Sequence, residues 1–157
     1  MNPYENLSPE AFWRPAVADR SMFEMEDLWR PKFQILPKTP IVTYGSCFAQ
    51  HIGSALKNRG YNWLISENAP AAMKPELAKK FNYGVFSART GNIYTTSLLL
   101  QWVSWALGKS TPPDEVWEKD GRFYDPFRPA IEPNGFASHE EVVRSREATI
   151  AAFRDSI

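Results

Sequence analysis

An α/β domain with a parallel sheet is predicted by three observations. Ile41-Val42-Thr43-Tyr44 is short, β-branched and aromatic and follows Pro40, which reads as a buried strand. Phe48, Ile52 and Leu56, with the smaller Ala49, Gly53 and Ala55, then recur at helical spacing up to Gly60. Tyr61-Asn62-Trp63-Leu64-Ile65 reads as a second strand, so the stretch is one βαβ unit, whose two strands run parallel. Further alternation of helices and strands downstream places the chain in a three-layer, flavodoxin-like sandwich.

The elements follow in order. Residues 1–39 hold Pro3, Pro9, Pro15, Pro31 and Pro37 and no sustained period, and read as an irregular arm that carries one short helix, opened by Ser8-Pro9-Glu10 and stopped by Pro15. Two Trp-Arg-Pro triplets, at Trp13 and Trp29, lie in this arm, and Phe127-Arg128-Pro129 echoes them. The triplets read either as an aromatic and cationic clamp for a ligand or, as preferred, as anchors that pin the arm, with arginines stacked over rings. The main domain spans 40–157. After the βαβ unit, residues 70–80 are ambiguous, with a short helix near Pro75. A helix capped by Thr95 or Thr96 presents Leu98, Leu99, Trp102, Val103, Trp105 and Ala106 and ends at Gly108. Asp120-Gly121 accepts the positive φ of a primed turn and predicts a hairpin between 116–119 and 122–124. Ser138-x-x-Glu141 is a capping box that opens a last helix through Val142, Ala148, Ile150 and Phe153.

Bulk properties exclude several classes. The 157 residues make one domain with a real core. Eighteen basic and 18 acidic residues give zero formal charge, so no molecule-wide field favours nucleic acid or an anionic membrane. One cysteine rules out an intrachain disulfide framework and fits a reducing compartment; with neither a signal peptide nor an apolar run long enough to span a bilayer, the expected location is the cytoplasm. No metal cluster, Walker loop or Gly-x-Gly-x-x-Gly run is encoded, and no cofactor is expected.

The candidate chemistry sits at the corner Gly45-Ser46-Cys47-Phe48-Ala49, between strand and helix. Unpaired N–H groups in the helix's first turn would meet an oxyanion forming beside Ser46. The competing reading is a plain turn whose serine caps the helix. Cys47 is a rival nucleophile, expected instead to be buried on the packed side of the turn as a small apolar residue. His51 is five residues on, about 500° around the helix and roughly 7.5 Å along it, and points away from the serine. His139 opens the last helix, and nothing in the sequence brings it to Ser46. Gly91 and Asn92 are candidates for oxyanion support, or else a turn leading into the Thr95 cap. Arg89 would hold an anionic substrate group or pair with a surface carboxylate.

The pentapeptide 45–49, the stretch Arg89-Thr90-Gly91-Asn92-Ile93-Tyr94-Thr95 running into Leu98 to Trp102, and Asp120 to Asp125 with Arg128-Pro129 and Asn134-Gly135-Phe136 together resemble the GSCFA family, itself similar to the SGNH, or GDSL-like, hydrolases. The resemblance implies an SGNH-like fold, a serine nucleophile at Ser46, oxyanion support from a glycine and an asparagine, and an acid and base near the end of a longer domain. This chain then corresponds to the N-terminal part of that domain, an incomplete fold without its base. Position in the turn, rather than identity, carries the correspondence, because those hydrolases usually have Asp where Gly45 stands. The implied function is ester hydrolysis or O-acyl transfer on carbohydrate or cell-surface polysaccharide acyl groups, with an acylated carbohydrate or other small ester as partner. The alternative is a non-catalytic carbohydrate-binding or scaffold module.

Overall fold

The computed structural model describes residues 2–26 and 28–157; Met1 and Asp27, both within the arm read at 1–39, lie outside the described residues. The chain divides into two compact units, one up to Ile35 and one from Leu36 to Ile157.

In the first unit a 3-10 turn covers Pro9–Ala11 and a π-helical turn covers Arg14–Ala18. Pro15 sits in the first positions of that second turn, where its missing N–H costs no helical bond, so it opens a turn rather than only closing the preceding one. Ala16 is the buried residue of the turn. Trp13 and Trp29 are 73% and 76% exposed.

The second unit starts with the extended segment 41–45. Ile41 forms a parallel bridge with Trp63: its N–H donates to Asn62 O and its carbonyl accepts from Leu64 N, each at 2.9 Å. The bridge does not lengthen into a ladder, because Ser87 takes the next backbone groups, its own N–H donating to Thr43 O at 3.2 Å. Thr43 N–H donates to Ser87 Oγ at 3.0 Å, and Trp63 Nε1 donates to Thr43 Oγ1 at 2.9 Å. Among the described residues the one sheet is a two-stranded antiparallel hairpin.

Between the bridged segments runs α1, Cys47–Asn58. Ser46 caps its start, and its end is a Schellman motif: Gly60, at φ +75°, donates to Lys57 O and Tyr61 donates to Leu56 O. Helix α1 meets the body through its small residues. A Cβ on Gly53 would lie 2.5 Å from a Trp63 ring carbon, so only glycine lets the helix lie on that indole. A short helix α2, Pro75–Lys80, follows.

The core lies where α3, Thr96–Ala106, packs on α4, His139–Arg154. Thr95 Oγ1 accepts the Leu98 N–H at 3.1 Å and starts α3. Trp102, Trp105 and Ala106 turn toward Ala152 and Phe153 and form a cluster with Ala88 and Ile93. Trp102 meets Trp105 edge-on at 5.3 Å, and Tyr44 lies 4.5 Å from Phe153, which joins the strand segment before the corner to α4. Burying each such ring contributes about 2–3 kcal/mol. On α4 the buried positions Val142, Arg146, Thr149, Ala152 and Phe153 keep the helical period. Ser138 Oγ accepts the Glu141 N–H, while Glu141 Oε2 accepts from Ala137 N, one residue upstream of the usual capping-box partner.

The hairpin pairs β1, Trp117–Lys119, with β2, Arg122–Tyr124, across Asp120 and Gly121 at φ +51° and +69°, the signs of a type I′ turn. Phe123 adds a second antiparallel bridge to Phe136.

Candidate functional site

Ser46 holds an extended conformation, φ −77° and ψ −176°, and its Oγ accepts the Phe48 N–H at 3.3 Å. Gly45 allows this close turn, since a Cβ there would stand 2.9 Å from Ala49 Cβ. The corner is tied to the loop before α3. Ile93 N–H donates to Gly45 O at 2.8 Å, and Gln50 Nε2 on α1 donates to Asn92 Oδ1 at 3.2 Å. Asn92 Nδ2 in turn donates to the Tyr94 hydroxyl at 3.0 Å, which occupies one of its two N–H groups. Gly91 stands at φ +68° with open space where a side chain would project. A cavity of about 210 Å3 starts at Gly91 and Asn92 and runs past Tyr94 to Phe127 and Ile131. Ser46, Gly91 and Asn92, distant in sequence, thus belong to neighbouring segments.

Arg89 does not join them at the surface. Its guanidinium faces inward: Nε donates to Phe81 O at 2.8 Å, Nη2 to Ile131 O at 3.3 Å, and Nη1 lies 3.6 Å from Glu67 Oε1, with the guanidinium over the Tyr83 ring. The role expected for Arg89, an anion holder or a surface pair, is corrected to that of a buried strut. Its backbone N–H also donates to Glu67 Oε2 at 2.8 Å.

Arg89 is one part of a network missed by sequence reasoning. Asp125, fully buried, accepts from Arg128 Nε at 2.8 Å and from Arg146 Nε at 3.2 Å. Arg128 also donates to Thr149 Oγ1 and Ser145 Oγ and reaches the Arg89 carbonyl at 3.5 Å, while Thr149 donates to Glu67. Burial pulls the Arg128 pKa below its ordinary value, and the Asp125 charge opposes that shift. The available signal was Asp125-x-x-Arg128 beside Pro126 and Pro129, a turn whose charged pair is close enough to bond. Nothing local reveals that Arg146 and Glu67 converge there.

Cys47 is exposed, which overturns its expected burial. The reason is rotation: α1 rests on the Ala49, Gly53 and Leu56 stripe, and at 100° per residue Cys47 lies about 120° from Gly53. Phe48 lies about 140° away, and it and Ile52 are 70% and 43% exposed instead of facing the core. His51 is exposed, and His139 Nε2 stands 3.6 Å from Asp114 Oδ1. Among the described residues neither histidine is hydrogen-bonded to Ser46. Nor, among those residues, is there a group of three or more His, Cys, Asp or Glu side chains arranged to hold a metal ion, or a helix long and apolar enough to cross a membrane.

A serine corner, a glycine–asparagine loop tied to it and a buried arginine–carboxylate network behind both make up one domain assembled from three short motifs. That domain is the GSCFA family domain: the family model matches residues 40–157, and the chain belongs to the GSCFA family. No curated protein and no solved structure matches the chain.

Proposed function

We propose that the protein is a serine-dependent esterase or O-acyltransferase that acts, in the cytoplasm, on acyl groups of carbohydrate or cell-surface polysaccharide, on a three-layer α/β domain of SGNH-like kind. The observation that carries this reading is the pair of bonds, Gly45 to Ile93 and Gln50 to Asn92, that joins the serine corner to the Gly91-Asn92 loop. Ser46 Oγ attacks the ester carbonyl, and the oxyanion is met by the serine's own N–H, the Gly91 N–H and the second N–H of the Asn92 amide. The serine proton passes to a base and on to the alcohol oxygen, which leaves as the ester C–O bond breaks, and water or an acceptor hydroxyl then takes the acyl group from Ser46.

The non-catalytic alternative has one observation in its favour, the use of Ser46 Oγ as the cap of α1. A fluorophosphonate probe with p-nitrophenyl ester turnover separates the two. Covalent labelling and turnover that both vanish in Ser46→Ala support the enzyme; equal labelling of wild type and variant, with no turnover, supports the binding module.

A further inference from the structure

The cavity that starts at Gly91 and Asn92 has walls that say what it would take. Its polar side chains are partly engaged. Asn82 Nδ2 donates to Ala130 O at 3.2 Å, Asn92 bonds Gln50 and Tyr94, and the Arg128 guanidinium is spent on Asp125, Thr149 and Ser145. What remains, beside the second amide N–H of Asn82 and of Asn92, is an apolar wall of Phe127, Pro129, Ala130 and Ile131, with the Tyr94 ring at the mouth. A sugar ring brings several hydroxyls, more than the two amide N–H groups can meet, and would leave most of them unpaired against such a wall, which is costly. An apolar chain loses nothing there. Size narrows the choice: a closed apolar cavity of about 150 Å3 takes a benzene ring, and drug-sized ligands need about 300 Å3 or more. At about 210 Å3 this cavity suits an apolar group of medium length and is largely empty around an acetyl group.

We infer that this cavity is an acyl subsite for linear chains of medium length, about four to six carbons, so that the preferred esters carry butyryl to hexanoyl groups rather than acetyl. The inference rests on the serine-esterase reading, which sets the ester carbonyl beside Asn92. Ala130 is exposed at the rim, so Ala130→Trp narrows the cavity without disturbing the core.

Two measurements test it on the whole protein. The first follows the Ile131 methyl resonances during titration with acetate, hexanoate and methyl glucoside. The second measures kcat/KM for p-nitrophenyl acetate, butyrate, hexanoate and decanoate. Hexanoate should shift Ile131, acetate and methyl glucoside should not, kcat/KM should rise about fourfold per methylene up to hexanoate and fall at decanoate, and Ala130→Trp should abolish both preferences. Turnover that needs Ser46 but is best with acetate, with no hexanoate shift, removes the subsite and leaves the serine reading standing. Hexanoate binding in a protein with no Ser46-dependent turnover removes the serine reading and the acyl assignment together. Binding of methyl glucoside in preference to hexanoate overturns the inference outright.

Discussion

Gln50 Nε2 lies 3.2 Å from Asn92 Oδ1, a bond from the first turn of α1 to the loop before α3. It fixes which way the Asn92 amide points, and with it where the free N–H is aimed. Asn92→Ala should lower kcat by about 10²–10³ if that N–H meets the oxyanion. Gln50→Ala should lower it less, by about tenfold on the same grounds, with KM and melting temperature nearly unchanged, because Gln50 acts only by positioning. Steady-state kinetics with a thermal melt check both.

The buried pair at Asp125 is a stability prediction. Asp125→Ala leaves Arg128 and Arg146 without their shared carboxylate in a site closed to water. A loss of about 3–5 kcal/mol is expected, since removing one partner leaves a buried charge uncompensated. Urea unfolding at neutral pH measures it through the midpoint, at constant slope.

Gly53→Ala should be destabilising by about 1–3 kcal/mol although alanine is the better helix former. The added methyl meets the Trp63 ring at 2.5 Å, so α1 or the indole must move. Trp63→Ala in the same background should relieve part of the cost, and a double-mutant cycle in urea reads the coupling.

Tyr44 gives a pH prediction. Burial raises its pKa above the ordinary phenol value, against a smaller lowering by its 2.6 Å hydrogen bond with Ser156. The unfolded chain therefore loses this proton first as pH rises, and between the two pKa values the native state holds more protons. The contribution is fully present below about pH 10 and is lost as pH climbs through the native value. Urea midpoints from pH 8 to 11 should fall more steeply for wild type than for Tyr44→Phe.

Local chemistry was the most legible part of the chain. Ser46 and Gly60 bracket α1, Thr95 starts α3, Ser138 starts α4 and Asp120-Gly121 turns the hairpin, because caps and primed turns depend on a few adjacent residues. The face of α1 was misread, since large apolar side chains at Phe48 and Ile52 outweighed the small ones that permit close approach. Arg89 was misread for another reason: its partners Glu67, Phe81 and Ile131 are spread along the chain, and only tertiary structure brings them together. Proximity of the serine corner to Gly91 and Asn92 was legible only through family resemblance, whereas Gln50, which orients the amide, carried no signal at all.

The network at positions 67, 89, 125, 128 and 146 holds three guanidinium groups against two carboxylates. No member can be exchanged without stranding another, so single substitutions there should be tolerated far less often than at neighbouring buried apolar positions. In a deep mutational library the five sites should behave as one heritable block, each change harmful alone and rescued only by a matching change elsewhere in the set. Divergent relatives would then differ at these positions in coordinated jumps, not by gradual drift.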